Sequence, residues 1–211
     1  MKKIFFDTEF TGLHQQTTLI SMAFVAESGE EFYAEFTDYD KEQLTDWLME
    51  NVISNLILNE KNIGLSLNKM HIKGTKQEIK KSFEVWLDQF VIIKDEQGKM
   101  IPSLQIWGDV PHWDWVLFCE LFGGALNIPK QINYMPMDVA TQLHLNYEDI
   151  DEPRINQIDK SFMPAALKPY NALYDAFMIK LVYTNKVALK RKEFVNNNHY
   201  LPSIHSVIKS H

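Results

Sequence analysis

The chain has a single cysteine, Cys119, so no internal disulfide can form. That scarcity suits a reducing cytoplasm and leaves Cys119 to serve as a small buried apolar side chain. No apolar run approaches the roughly 20 residues that cross a bilayer, so no membrane partner is expected. Lys2 and Lys3 are followed by only Ile4-Phe5-Phe6 before Asp7, too short a core for a secretory leader. Internal repeats, low-complexity blocks and obvious linkers are also missing. Basic residues are the scarcer charge, 21 Lys and Arg against 28 Asp and Glu, a net charge of −7. A tight, sequence-blind duplex binder needs the opposite balance. The asymmetry is local, however. Residues 1–60 set Lys2, Lys3 and Lys41 against twelve acids, whereas eight Lys or Arg from Lys160 onward face only Asp175 and Glu193.

What is present is ordinary for a globular chain: 45% apolar and 23% charged residues in 211. That predicts one compact α/β domain over 1–190 and a basic tail, mobile or loosely packed, over 191–211. Lys3 to Phe6 reads as a short buried strand ending at Asp7. Thr17 to Ala26 and Glu31 to Phe36 flank Ser28-Gly29 and read as a hairpin. Helical spacing over Lys41 to Val52 is followed by a loop or irregular insert over 54–74. Thr75 and Glu78 form a capping-box pattern opening a helix from Lys76 to Phe90. A strand over Ser103–Trp107 precedes a helix from His112 to Phe122, stopped by Gly123-Gly124. A short strand over Ile132–Asp138 leads into a helix from Val139 to Leu145. After an irregular 146–168 stretch, Pro169 is placed in the first turn of a helix running to Leu189. Three consecutive antiparallel strands and then alternating helices and strands predict a mixed sheet with helices on both faces.

The chemistry begins at Asp7-Thr8-Glu9. Residues two apart on a strand point the same way, so both carboxylates converge on one place. A bare Asp-x-Glu is most often a solvated strand end, but this one terminates a wholly apolar run. Phe10-Thr11-Gly12-Leu13 follows, a turn with exposed apolar side chains and a glycine that permits close backbone approach. Further on, Asp109 and Asp114 stand near a helix start, where an N-cap is the plain reading for either. Asp175 falls early in the last long helix.

Phe6-Asp7-Thr8-Glu9-Phe10-Thr11-Gly12-Leu13 resembles the first motif of the DEDD, or DnaQ-like, exonuclease superfamily, Asp-Thr-Glu-x-Thr-Gly-Leu. Trp113-Asp114 fits the aromatic-Asp step of its second motif, with Asp109 competing for the role. The segment from Trp113 to Gly123 is similar to a branch of small 3′-5′ exoribonucleases. Tyr170-Asn171-Ala172-Leu173-Tyr174-Asp175 resembles the third motif, His-x-Ala-x-x-Asp. The resemblance implies a ribonuclease H-like fold and a 3′-5′ exonuclease acting on a single-stranded RNA or DNA 3′ end, RNA favoured, with nucleoside 5′-monophosphates as products. It also implies two Mg²⁺ or Mn²⁺ ions held by Asp7, Glu9, Asp114 and Asp175, and Phe10, Thr11, Gly12 and Leu13 against the terminal nucleotide. Related small exoribonucleases are often dimers, so by analogy a homodimer is one assembly open to this chain.

Those residue types suit the reaction. Phosphodiester hydrolysis needs an activated water and cover for negative charge, and hard divalent ions on carboxylates supply both. The departure is Tyr170, where the family has histidine. Imidazoles titrate near 6.5 and phenols near 10, so a tyrosine there orients water better than it deprotonates it. A slow enzyme with an alkaline optimum follows. His112, His199 and His205 are candidate substitutes for the histidine, and Lys190-Arg191-Lys192 is either a solvated helix end or a phosphate contact. Two other readings stay open: a nucleic-acid-binding domain with weakened catalysis, and a phosphodiesterase for dinucleotides.

Overall fold

The computed structural model describes residues 1–58, 64–66 and 68–190. In chain order the elements are β1 (Lys2–Phe10), β2 (Leu19–Ala26), β3 (Glu31–Phe36), α1 (Asp46–Asn51), β4 (Gly64–Ser66), β5 (Lys69–Gly74) and α2 (Lys76–Leu87). Then come β6 (Ile93–Lys94), β7 (Met100–Ile101), β8 (Leu104–Gly108), α3 (His112–Leu121), β9 (Met137–Asp138), α4 (Val139–Leu145) and α5 (Ala172–Val182).

Seven strands form one sheet in the order β4-β5-β3-β2-β1-β8-β9, and β6-β7 is a separate hairpin. β1, β2 and β3 pair antiparallel, while β8 runs parallel to β1 and β9 parallel to β8. The expected mixed sheet is therefore the observed one. Strand alternation sorts its side chains into two cores. Ile4, Phe6, Met22, Phe24, Phe32 and Ile106 pack with Phe83 and Trp86 of α2 and Phe118 of α3. Phe5 and Trp107 face the other way, onto Val139 and Leu143 of α4 and Tyr174 and Met178 of α5. Ala23, Val25 and Tyr33 on that same face meet Ala172 and Ala176. Helices cover both faces.

Several local expectations need correction. β1 continues through Asp7 and Glu9 to Phe10, because β2 goes on pairing with it as far as Leu19. The 41–52 region is broken: a 3₁₀ turn over Lys41–Gln43 precedes α1, and another over Ile53–Asn55 follows it. The stretch read as a loop over 54–74 contains β4 and β5, the latter parallel to β3 from Glu31↔Lys69 to Phe36↔Gly74. Ile132 makes a single bridge to Leu104, and the strand proper is only Met137–Asp138. Pro169 lies before α5, whose cap is Asn171, and beyond Val182 the helix widens into a π-helical stretch over Tyr183–Ala188. The capping box at Thr75 and Glu78 is present as read, and Gly123 and Gly124 both carry the positive φ that ends α3. The expected tail at 191–211 lies outside the described residues, as do His199 and His205. Among the described residues no helix is long and apolar enough to cross a membrane. Cys119 is buried in the α2–α3 core, and burial pushes its thiol up to about 11.

Candidate active site

β8 leaves β1 after the Phe5↔Trp107 pair, whereas β1 runs five residues further beside β2 alone. The sheet therefore opens on one side of Asp7, at the carboxyl end of the parallel strands, where ligands of α/β sheets gather. A bulge helps aim this end. The register slips between Glu9↔Ser21 and Phe10↔Leu19, which bends the strand just past the acids.

Asp7 and Glu9 share the face of Phe5, toward α5. Fully buried Ala172 and Ala176 let α5 settle closely on that face, and Asp175 lies between them in its first turn. One ligand oxygen from each of Asp7, Glu9 and Asp175 falls within 4.8 Å of the others. Asp114 arrives from the opposite face, on the first turn of α3. Its Oδ1 accepts from the Thr8 N–H at 3.0 Å and from Thr8 Oγ1 at 2.6 Å. Thr8, between the two acids, thus anchors the fourth carboxylate to the same strand. Gly108 permits the turn that brings α3 there, since a Cβ on it would stand 2.5 Å from Pro111 Cβ.

All four carboxylates line a cavity of about 630 Å³, together with Phe10, Thr11, Gly12, Leu13, Thr45, Trp47, Leu48, Val52 and Tyr170. A second cavity of about 490 Å³ adjoins it, and Asp7, Tyr170 and Asp175 line both. Crowding like charges in a half-enclosed place disfavours ionisation. Burial and then the Asp175, Asp114 and Glu9 carboxylates hold the Asp7 carboxyl well above its usual range. Burial and the same neighbours, Asp175 and Asp114, push Glu9 up to about 8. Asp175 rises to about 7, again through burial, although backbone groups of Tyr170 and Asn171 pull it down. Asp114 is raised by burial and partly relieved by Thr8. A cluster that resists its own charge, built wholly from hard oxygen donors, fits divalent cations such as Mg²⁺ or Mn²⁺.

These shifts set a pH dependence for the metal-free protein. A carboxyl whose folded pKa is raised favours the folded state only while protonated. The share of Glu9 is therefore fully present below its ordinary 4.5 and is lost as pH rises toward about 8. The share of Asp175 is lost between 3.8 and about 7. Without metal the melting temperature should fall between pH 5 and pH 8 by about 3 °C or more, since roughly 1 kcal/mol moves a chain of this size by 2–4 °C. Glu9→Gln should flatten that slope, and millimolar Mg²⁺ should restore the loss at pH 8. A metal-free melting curve that is flat over this range in the wild type would contradict the electrostatics.

Other sequence expectations fare unevenly. Asp109 is not the helix cap; Pro111 occupies that place. The Asp109 carboxylate is instead bound by Arg154, with Nε at 2.7 Å and Nη2 at 3.2 Å, and it lines only the second cavity. Leu13 is exposed and Phe10 half-buried at the cavity, as a base contact requires. The Thr11 and Gly12 N–H groups are committed within the loop, to the Thr18 carbonyl and the Thr17 hydroxyl. The Thr11 hydroxyl donates to Gln43. Those two N–H groups hold the loop's own shape, while Thr11 and Gly12 both line the cavity as expected of substrate-contacting residues. Trp107 is buried and Trp115 packs on Phe118. His112 is exposed and lines neither cavity, although its charge lowers the Asp114 carboxyl. Lys190 is tied to Glu148 and the Asn146 carbonyl, while Arg191 and Lys192 lie outside the described residues.

Trp47 was not anticipated as a site residue. It stands 52% exposed on α1, its ring 5.2 Å from that of Tyr170 and nearly perpendicular to it. Sequence gives no signal for it, because helical spacing over Lys41 to Val52 reads Trp47 together with Leu48 as a buried face, and only the structure shows α1 cut to six residues.

The family model of the 3′-5′ exoribonuclease Rv2179c-like domain matches residues 2–185. Two curated proteins of Mycobacterium tuberculosis are similar to the chain: 3′-5′ exoribonuclease Rv2179c of strain H37Rv and 3′-5′ exoribonuclease MT2234.1 of strain CDC 1551 / Oshkosh. Each is 28% identical over 130 residues, 62% of this chain and 67% of the relative. Among solved structures, the Neurospora crassa Pan2 catalytic unit (protease and nuclease domain) aligns at 14% identity with a TM-score of 0.46. That alignment takes in 99% of this chain and 29% of the Pan2 chain.

Proposed function

The chain belongs to the 3′-5′ exoribonuclease Rv2179c-like domain family, and from that premise we propose a metal-dependent exonuclease that removes single nucleotides from the 3′ end of single-stranded RNA. The observation that carries the proposal is the trio of Asp7, Glu9 and Asp175 oxygens within 4.8 Å, with Asp114 in the same cavity. Asp7, Glu9 and Asp175 would hold one divalent ion, and Asp7 and Asp114 a second. Bound there, such ions supply a more acidic water and charge cover for the phosphate and the leaving oxygen.

The chain's own groups do the rest. Asp7, Tyr170 and Asp175 lie where the two cavities meet, so the scissile phosphate belongs at that junction. The terminal nucleotide enters the larger cavity, with its base between Phe10, Leu13 and Trp47. Aromatic stacking holds any base, which suits an enzyme that must accept every residue in turn. The Tyr170 hydroxyl orients the attacking water. Attack at phosphorus breaks the bond to the 3′-oxygen of the upstream nucleotide, which takes up a proton and becomes the new 3′ end. The phosphate stays on the departing nucleoside 5′-monophosphate. A net charge of −7 and cavities of nucleotide size favour a single strand over a duplex.

Trp47→Ala should raise the KM for a short oligoribonucleotide about tenfold while kcat changes little, since a stacked base contributes ~1–3 kcal/mol. An unchanged KM would remove Trp47 from the substrate path. The reading itself is tested with RNA and DNA oligomers labelled at the last internucleotide phosphate, with Mg²⁺ or Mn²⁺. Labelled nucleoside 5′-monophosphate is expected first, faster from RNA than from DNA. Label appearing first in longer fragments would overturn the exonuclease assignment. Tyr170 in place of histidine favours one rival, a binding domain with weakened catalysis; tight metal-dependent RNA binding without any product would identify it.

A further inference from the structure

Tyr170 sits at φ +61°, in the left-handed region that a bulky side chain rarely adopts. Such a conformation persists only where its surroundings fix it from both sides. One residue, Asn55, does this. Its side-chain Nδ2 donates to the Pro169 carbonyl at 2.9 Å, and its own carbonyl accepts from Asn171 Nδ2 at 2.8 Å. The neighbours of Tyr170 on either side are thus stapled to the same point, at the end of the 3₁₀ turn after α1.

The staple is itself anchored in the core. Asn171 is fully buried, yet its whole amide is satisfied: Nδ2 also donates to the Tyr33 hydroxyl at 3.0 Å, and Oδ1 accepts from the Leu173 N–H at 3.0 Å. Tyr33 in turn donates to Oε1 of Glu35, a carboxylate with no exposed surface. That same oxygen accepts the N–H groups of Ile57 and Leu58, and Oε2 pairs with Lys73 at 3.2 Å. The segment following Asn55 is therefore tied to β3, and β3 to the cap of α5. The first helical bond, Asp175 N–H to the Asn171 carbonyl, passes the placement on to the third acidic residue. A satisfied buried network of this kind specifies a single geometry.

The geometry points to Asn55 and Asn171 as positioning residues for the reaction: they hold Tyr170 in its left-handed turn and so aim its ring at the junction of the two cavities. Neither lines these two cavities. This rests on the exonuclease reading for its catalytic consequence, though not for its structural one.

The test pairs hydrogen exchange with kinetics on the full chain. In Asn55→Ala, which loses the side-chain bonds to the Pro169 and Asn51 carbonyls, amides over 168–175 should exchange about tenfold faster, the effect of the one bond that reaches this segment, while those of β2 stay unchanged. The kcat for mononucleotide release should fall about tenfold from misplacement of a catalytic group, with KM within about twofold. In a Tyr170→Ala background the same substitution should cost less than about twofold more, because interacting residues are non-additive. Tyr33→Phe, which removes one hydroxyl and keeps the ring, should shift exchange at 168–175 in the same direction and covers the case in which Asn55→Ala folds poorly. Unchanged exchange at 168–175, or a kcat loss that adds fully to that of Tyr170→Ala, would overturn the proposal. A wild type that releases no mononucleotide sinks the functional reading instead, and the exchange data then still decide whether the staple holds.

Discussion

Asp7→Asn should lower metal-dependent nucleotide release by about 10³-fold or more, on the order of 4 kcal/mol of lost transition-state stabilisation. The same variant should melt higher than the wild type in the absence of metal. The opposite signs follow from one fact. Asp7 feels Asp175, Asp114, Glu9 and Asp109 together, more acids than any other group of the cluster. With cations present it is the carboxylate common to both proposed ion positions and to both cavities. Without them it is the centre of the repulsion. Asparagine keeps the shape, gives up the charge and so relieves the metal-free fold while removing the shared ligand. Loss of activity with loss of stability would point instead to a damaged fold. Activity within tenfold of wild type would remove Asp7 from the chemistry.

Tyr170→His should raise kcat at pH 7 on the order of 10²-fold, the lower end of what a positioned general base contributes, and move the optimum toward neutrality. Histidine is also among the side chains that tolerate positive φ, so the turn at +61° need not change. The staple that fixes this turn uses the Pro169 carbonyl and the Asn171 side chain, neither of which is replaced. The substitution alters the ring contact with Trp47. A pH–rate profile of both proteins, from pH 6 to 10, separates the cases. If the rate is unchanged or lower, the phenol is itself the working group at this position.

The parts of this site that sequence shows well are those written in local spacing. Asp7 and Glu9 share a face because strand parity is two, and Asp175 precedes Ala176 on a helix that small residues bring close. The strand runs on to Phe10, although polar side chains at Asp7 and Glu9 look like an ending. Pairing with β2 overrides that appearance. β5 was hidden in a polar stretch for a similar reason: its partner, β3, lies more than thirty positions away and supplies the pairing that local pattern does not.

Residues defined by distant partners were illegible. Asp109 looks like a cap until Arg154, 45 positions later, binds it. Asn171 is one amide among many until Tyr33 and Asn55 arrive, 138 and 116 positions away in sequence. Trp47 looks like core because exposure is a property of the folded surface. Each miss concerns an interaction that chain proximity does not encode.

The most direct test is crystallographic: crystals soaked with Mn²⁺ and a nucleoside 5′-monophosphate, measured for anomalous scattering. Manganese peaks are expected between Asp7, Glu9, Asp175 and Asp114, with the nucleotide's phosphate between the two cavities and its base against Phe10, Leu13 and Trp47. Manganese absent from these carboxylates, or nucleotide bound elsewhere, would contradict the exonuclease reading.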